Sequence, residues 1–71
     1  MTDTPKTLGD ALPREMTRVR DKVLPAYLSI PEGVYAATMI RISLDVAQMA
    51  LAKGDVVAML RSYEDLKGYE L

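Results

Sequence analysis

The chain contains no cysteine, histidine, tryptophan or phenylalanine among its 71 residues. Without cysteine there is no disulfide framework and no thiolate nucleophile. Without histidine the common zinc sites and the commonest general base are excluded as well. A glycine-rich phosphate loop, a cluster with metal-ligand spacing and a Ser/His or Cys/His pair are also missing, so the expectation is a protein that is not an enzyme and carries no cofactor. An excess of one charge is lacking too: 9 Lys+Arg stand against 10 Asp+Glu, a net charge of −1. Bulk attraction to nucleic acid is therefore not expected. No uninterrupted apolar run approaches the roughly 20 residues of a membrane span, and MTDTPKT has no apolar signal-peptide core. The expected location is the cytoplasm, with no membrane partner.

What is present is an apolar fraction of 49%, enough to drive collapse of one small domain. A single core in a chain of this length rarely supplies more than about 3–5 kcal/mol. With no disulfide and no structural zinc, stability must come from very regular helix packing or from self-association.

The polar stretch 1–9 reads as a flexible lead-in to a single helical domain over 10–71. Asp10 is a candidate N-cap, Thr7 to Asp10 has capping-box-like spacing, and Pro13 would then fall in the first turn, where its missing N–H costs little. Leu12, Met16, Val19, Val23, Ala26 and Ile30 recur at steps of 4, 3, 4, 3 and 4, a heptad-type stripe. Pro25 interrupts it and should kink the helix, the stripe staying in register on both sides. Pro31-Glu32-Gly33 ends the segment.

The second helix should run from about 35 to 53. Tyr35, Met39, Ile42, Val46 and Met49 form one ridge and Ile40, Leu44 and Leu51 another. Between them lies a line of small residues, Ala36, Ser43, Ala47 and Ala50, a groove that another helix can approach closely. Only Thr38, Arg41, Asp45 and Gln48 are polar, on one narrow arc where Arg41 and Asp45 should pair. The apolar arc covers about two-thirds of the circumference, wider than the stripe of an ordinary surface helix. It should be covered from two directions, by the other helices or by a second subunit. Gly54 and Asp55 read as a stop and a new N-cap, and Val56, Met59, Leu60, Tyr63 and Leu66 as the stripe of a third helix over 55–67. The expected architecture is all-α: a compact bundle of three helices over roughly 11–30, 35–53 and 55–67, the second one central, forming a homo-oligomer.

The candidate ligand-binding residues are Arg14, Arg18, Arg20, Lys22, Tyr27, Tyr35 and Arg41. Arg14, Arg18 and Lys22 recur at steps of four on one face of helix 1; a solvated face with local pairs such as Arg18–Asp21 explains them, and so does a site for phosphate, which a guanidinium grips with two donors. Arg20 flanks the apolar stripe near Tyr27. Tyr27 and Tyr35 bracket the Pro31-Glu32-Gly33 turn and are the rings best placed to stack on a base.

Helix 2, Gly54-Asp55 and helix 3 could be read as a helix-turn-helix, but Asp55, Glu64 and Asp65 would repel phosphates, so DNA is the least favoured partner. ALAKGDVVAMLRSYEDL resembles the helical hairpin of a tetratricopeptide unit, once, with Met59 at an expected small position; it implies a tight antiparallel hairpin. LGDALPREMTRVR, YAATMI, GDVVAML and YEDLKGYE together resemble a group of small uncharacterised helical proteins encoded in phages and prophages of proteobacteria. That resemblance implies a setting, a phage accessory protein in the bacterial host cytoplasm, and carries no site residue. Three functions fit these expectations. One is a non-enzymatic binding protein that sequesters a small anionic host molecule, such as a defence signalling nucleotide, between subunits. Another is an inhibitor or adaptor of a host protein that works through an apolar helix face. The third is a small structural or regulatory phage component.

Overall fold

A computed structural model describes residues 7–70, which are helical almost throughout, with no strand among them. Helix α1 spans Leu8–Arg18 and continues without a break into a π-helical turn, Val19–Val23, and then α2, Leu24–Leu28. A 3-10 turn, Pro31–Gly33, leads into α3, Val34–Lys53, and α4 covers Val56–Lys67.

The first helix starts earlier than expected. Thr7, not Asp10, is the N-cap: its backbone is extended, and its hydroxyl accepts from the Asp10 N–H at 3.2 Å. The spacing of a capping box is thus used, with its first residue as the cap, and Asp10 lies inside the first turn, where the helix dipole favours a carboxylate. Pro13 consequently sits in the second turn, where it offers no N–H to the Gly9 carbonyl, on an exposed side open to water. Residues 7–9 belong to the cap and helix; residues 1–6 of the expected lead-in lie outside the described residues.

Pro25 does not end the rod at Leu24. The turn before it is widened instead, so that the Leu24 N–H reaches back five residues to the Val19 carbonyl. A wide turn makes room where the pyrrolidine ring would collide with the preceding turn. It also rotates the residues C-terminal to it about the helix axis. Leu12, Met16, Val19 and Val23 are buried as the stripe predicts, but beyond Val23 the core is met by Leu24 and Tyr27, and Ile30 is 44% exposed. The stripe therefore does not stay in register across Pro25. The helix stops at Leu28 because Pro31 forces its predecessor Ile30 into extended backbone (φ −108°, ψ 128°). Gly33 then passes so close to Tyr27 that a Cβ would collide with the Tyr27 carbonyl.

Gly54, at φ +66°, closes α3 in the left-handed conformation that favours glycine, and Asp55 caps α4 by accepting from the Ala58 N–H at 3.2 Å. This reverses the chain within two residues. α4 packs against both α1 and α3, while α1 and α3 meet only lightly and α2 rests on the start of α3. α4 thus lies against two neighbours, with Met59, Ser62 and Leu66 buried, while the longer α3 meets α1, α2 and α4. Val56 and Leu60, expected on the same stripe, are 67% and 52% exposed. The result is a slab whose Cα atoms span 37 × 31 × 15 Å, the short dimension being that of two helix layers packed about 8–10 Å apart.

The other helices cover one side of α3. Ala37, Ile40, Ala47 and Ala50 enter the core with Leu44 and Leu51 half-buried, and the small-residue line faces inward as expected. The ridge of Tyr35, Met39, Ile42, Val46 and Met49 stays outside.

Candidate functional site

Two features of the molecule combine polar or apolar groups in ways that could do work. The first surrounds the end of α4. Because α4 packs along α1, its last turn arrives beside Arg18. The Arg18 Nη2 donates to the main-chain carbonyls of Leu66 at 3.1 Å and Tyr69 at 2.9 Å, and to Glu15 Oε1 at 3.1 Å. Its Nε also donates to Glu15, at 3.2 Å. A helix C-terminus leaves carbonyls without partners, and a planar guanidinium supplies several donors at once. Tyr27 Oη donates to the Glu70 carbonyl at 3.3 Å, and the Ser43 and Tyr69 hydroxyls lie 3.0 Å apart. Three elements thus hold residues 66–70 to the slab.

This clasp absorbs two of the expected ligand residues, Arg18 and Tyr27. Arg18 pairs with Glu15 rather than with Asp21, which is taken by Arg20 at 3.1 Å on an open surface. Arg14 and Lys22 are exposed, and Arg18 is the member of the strip at steps of four that reaches the end of α4. Nothing in the sequence marks Glu15, Ser43 or Tyr69 as a site residue: Tyr69 follows the end of the third helix, and only the place of Ser43 in the line of small residues hints at its role. Among the described residues no group of three or more carboxylates is placed to hold a metal ion.

The second feature is the outer face of α3. Tyr35 is 77% exposed, Met49 56%, Val46 51%, Ile42 50% and Met39 38%. They recur at steps of 4, 3, 4 and 3, so they form a straight ridge of about 21 Å at 1.5 Å per residue. Beside it, α3 and α4 enclose an open groove of ≈ 390 Å³ lined by Val46, Val57, Ala58, Arg61, Ser62 and Asp65. It runs on into a hollow of ≈ 230 Å³ toward Met49 and Lys53, sharing Val46, Asp55 and Ala58. Small side chains form the floor, so the groove can take side chains from outside. Arg41 and Asp45 lie on the polar edge of the same helix, both exposed, and the expected ion pair between them is not formed. Tyr35 and Arg41, two more of the expected ligand residues, therefore belong to this face and its edge, away from the clasp. The stretch Pro31–Lys53 is long and apolar enough by composition to cross a bilayer, with 28% of an 18-residue window within it buried in the protein.

Comparison of the chain with protein-family models, curated proteins and solved structures finds no match in any of the three.

Proposed function

We propose that this protein is a non-enzymatic binding module that works by docking the outer face of α3 on a partner polypeptide. The observation that carries this reading is the ridge itself. Five large apolar side chains at helical spacing stand in one line outside the core. Single exposed apolar residues are normal, but an aligned row of them marks an interaction surface. The groove beside the ridge supports the same reading, because ridges and grooves are how helices pack.

Capture of a small anion draws less support. Arg18 is already engaged with two carbonyls and a carboxylate, and Arg20 with Asp21, so a phosphate would have to displace existing partners.

The test uses a photo-crosslinking amino acid at Tyr35 in the full chain, expressed in cells, with the same probe at Gln48 on the polar arc as control. Docking through the ridge predicts protein adducts from position 35 and far fewer from position 48. Equal or absent adducts at the two positions would remove the reading.

A further inference from the structure

Resting on that reading, we infer that the partner of the α3 ridge is a second copy of the same chain, packed antiparallel about a two-fold axis near Ile42–Leu44. Three observations lead there. The ridge repeats at 4, 3, 4 and 3, the spacing at which two helices interlock along a seam, and a two-fold interface needs one surface that is complementary to itself.

The edge charges decide the orientation. Arg41 and Asp45 are one turn apart on the same edge and unpaired with each other. Antiparallel pairing centred between them sets Arg41 of each copy opposite Asp45 of the other, twice. Parallel pairing would set this edge against the opposite edge of the partner, where Ala36, Ser43, Ala47 and Ala50 offer no charge, and would form neither pair.

The area is adequate. The five ridge residues expose on the order of 500 Å² of apolar surface, near the top of what one patch on a monomer shows and more than half of the roughly 800 Å² per partner of a standard interface. Val57 and the stems of Lys53 and Arg61, along the adjoining groove, extend the surface toward that figure.

A net charge of −1 per chain does not oppose a second copy on the α3 face.

The mass of the full chain in solution is measured by light scattering from about 1 to 100 μM, for the wild type and for Ile42→Glu, Arg41→Glu, Asp45→Arg and the combined Arg41→Glu/Asp45→Arg. The expected result is twice the 7.9 kDa chain mass for the wild type. Ile42→Glu should give one chain mass with an unchanged helical circular dichroism spectrum, because Ile42 is half-exposed and outside the core. Each single charge reversal should weaken association about tenfold and the combination should restore it. A wild type of one chain mass at 100 μM overturns the inference, and so does association that neither charge reversal weakens, which would mean parallel pairing. Flotation of the wild type, but not of Ile42→Glu, with phosphatidylcholine/phosphatidylglycerol vesicles would also overturn it, in favour of a membrane surface. Adducts from position 35 that never contain two copies would overturn the second copy while leaving the docking reading in place.

Discussion

Replacing Arg18 by alanine should destabilise the protein far more than its position on an outer helix face suggests. The guanidinium donates to the Leu66 and Tyr69 carbonyls and to Glu15. A hydrogen bond from a charged group contributes about 1.5–3 kcal/mol when fully sheltered. The Arg18 side chain is 33% exposed and that of Glu15 21%. Solvent therefore reduces each carbonyl bond to about 1 kcal/mol and the ion pair to about 0.5 kcal/mol or less. The total is about 2 kcal/mol, close to half of the roughly 3–5 kcal/mol that a core of this size supplies. At about 4–8 °C per kcal/mol for a domain of this length, the melting temperature should fall by about 8–16 °C. Thermal denaturation followed at 222 nm checks this, with all samples at one protein concentration because self-association would make the midpoint concentration-dependent. Arg20→Ala, removing an exposed neighbour pair, should stay within about 0.5 kcal/mol of the wild type. Equal midpoints for Arg18→Ala and the wild type would refute the clasp, as would equal losses for the two arginines.

Leu66→Ala, at a side chain with no exposure, should cost about 2–5 kcal/mol and leave the chain largely unfolded at 25 °C, whereas Val56→Ala at the exposed start of the same helix should change a urea midpoint little. Gly33→Ala should cost about 2 kcal/mol or more, read as a lowered melting temperature, because its Cβ meets main chain at Tyr27 and the turn must open. Thr7→Ala should cost about 1 kcal/mol and raise hydrogen exchange in the first turn of α1, while Asp10→Ala, at a residue that is not the cap, should cost less.

The helices themselves are legible because each is announced twice, by apolar periodicity and by a cap: Gly54-Asp55 places one boundary nearly to the residue. Where two caps compete, as with Thr7 and Asp10, composition alone does not choose, since either hydroxyl or carboxylate can take the orphan N–H groups. The π turn escapes notice for a different reason. Adding one residue to a turn leaves the stripe before it intact and shifts only the residues beyond it, so Ile30 looks like the next member until Pro31 is seen to hold it in extended backbone. Arg18 reads as a solvated cation because its acceptors lie 48 and 51 residues further along the chain. The excess apolar surface of α3 is plain in its sequence. Which half is covered depends on the wedge of α4 between its neighbours, and no local pattern encodes that.

Methionine oxidation provides the most direct measurement of whether the α3 ridge is covered in the working protein. Met39 and Met49 stand on the ridge at 38% and 56% exposure, while Met16 and Met59 are each 8% exposed in the core. Dilute peroxide and then peptide mass spectrometry reads all four at once. Coverage of the ridge predicts that, in the wild type at tens of micromolar, Met39 and Met49 oxidise nearly as slowly as Met16 and Met59, and that Ile42→Glu exposes the first two and leaves the core pair protected. Oxidation of Met39 and Met49 at the same rate in the wild type and in Ile42→Glu would contradict it.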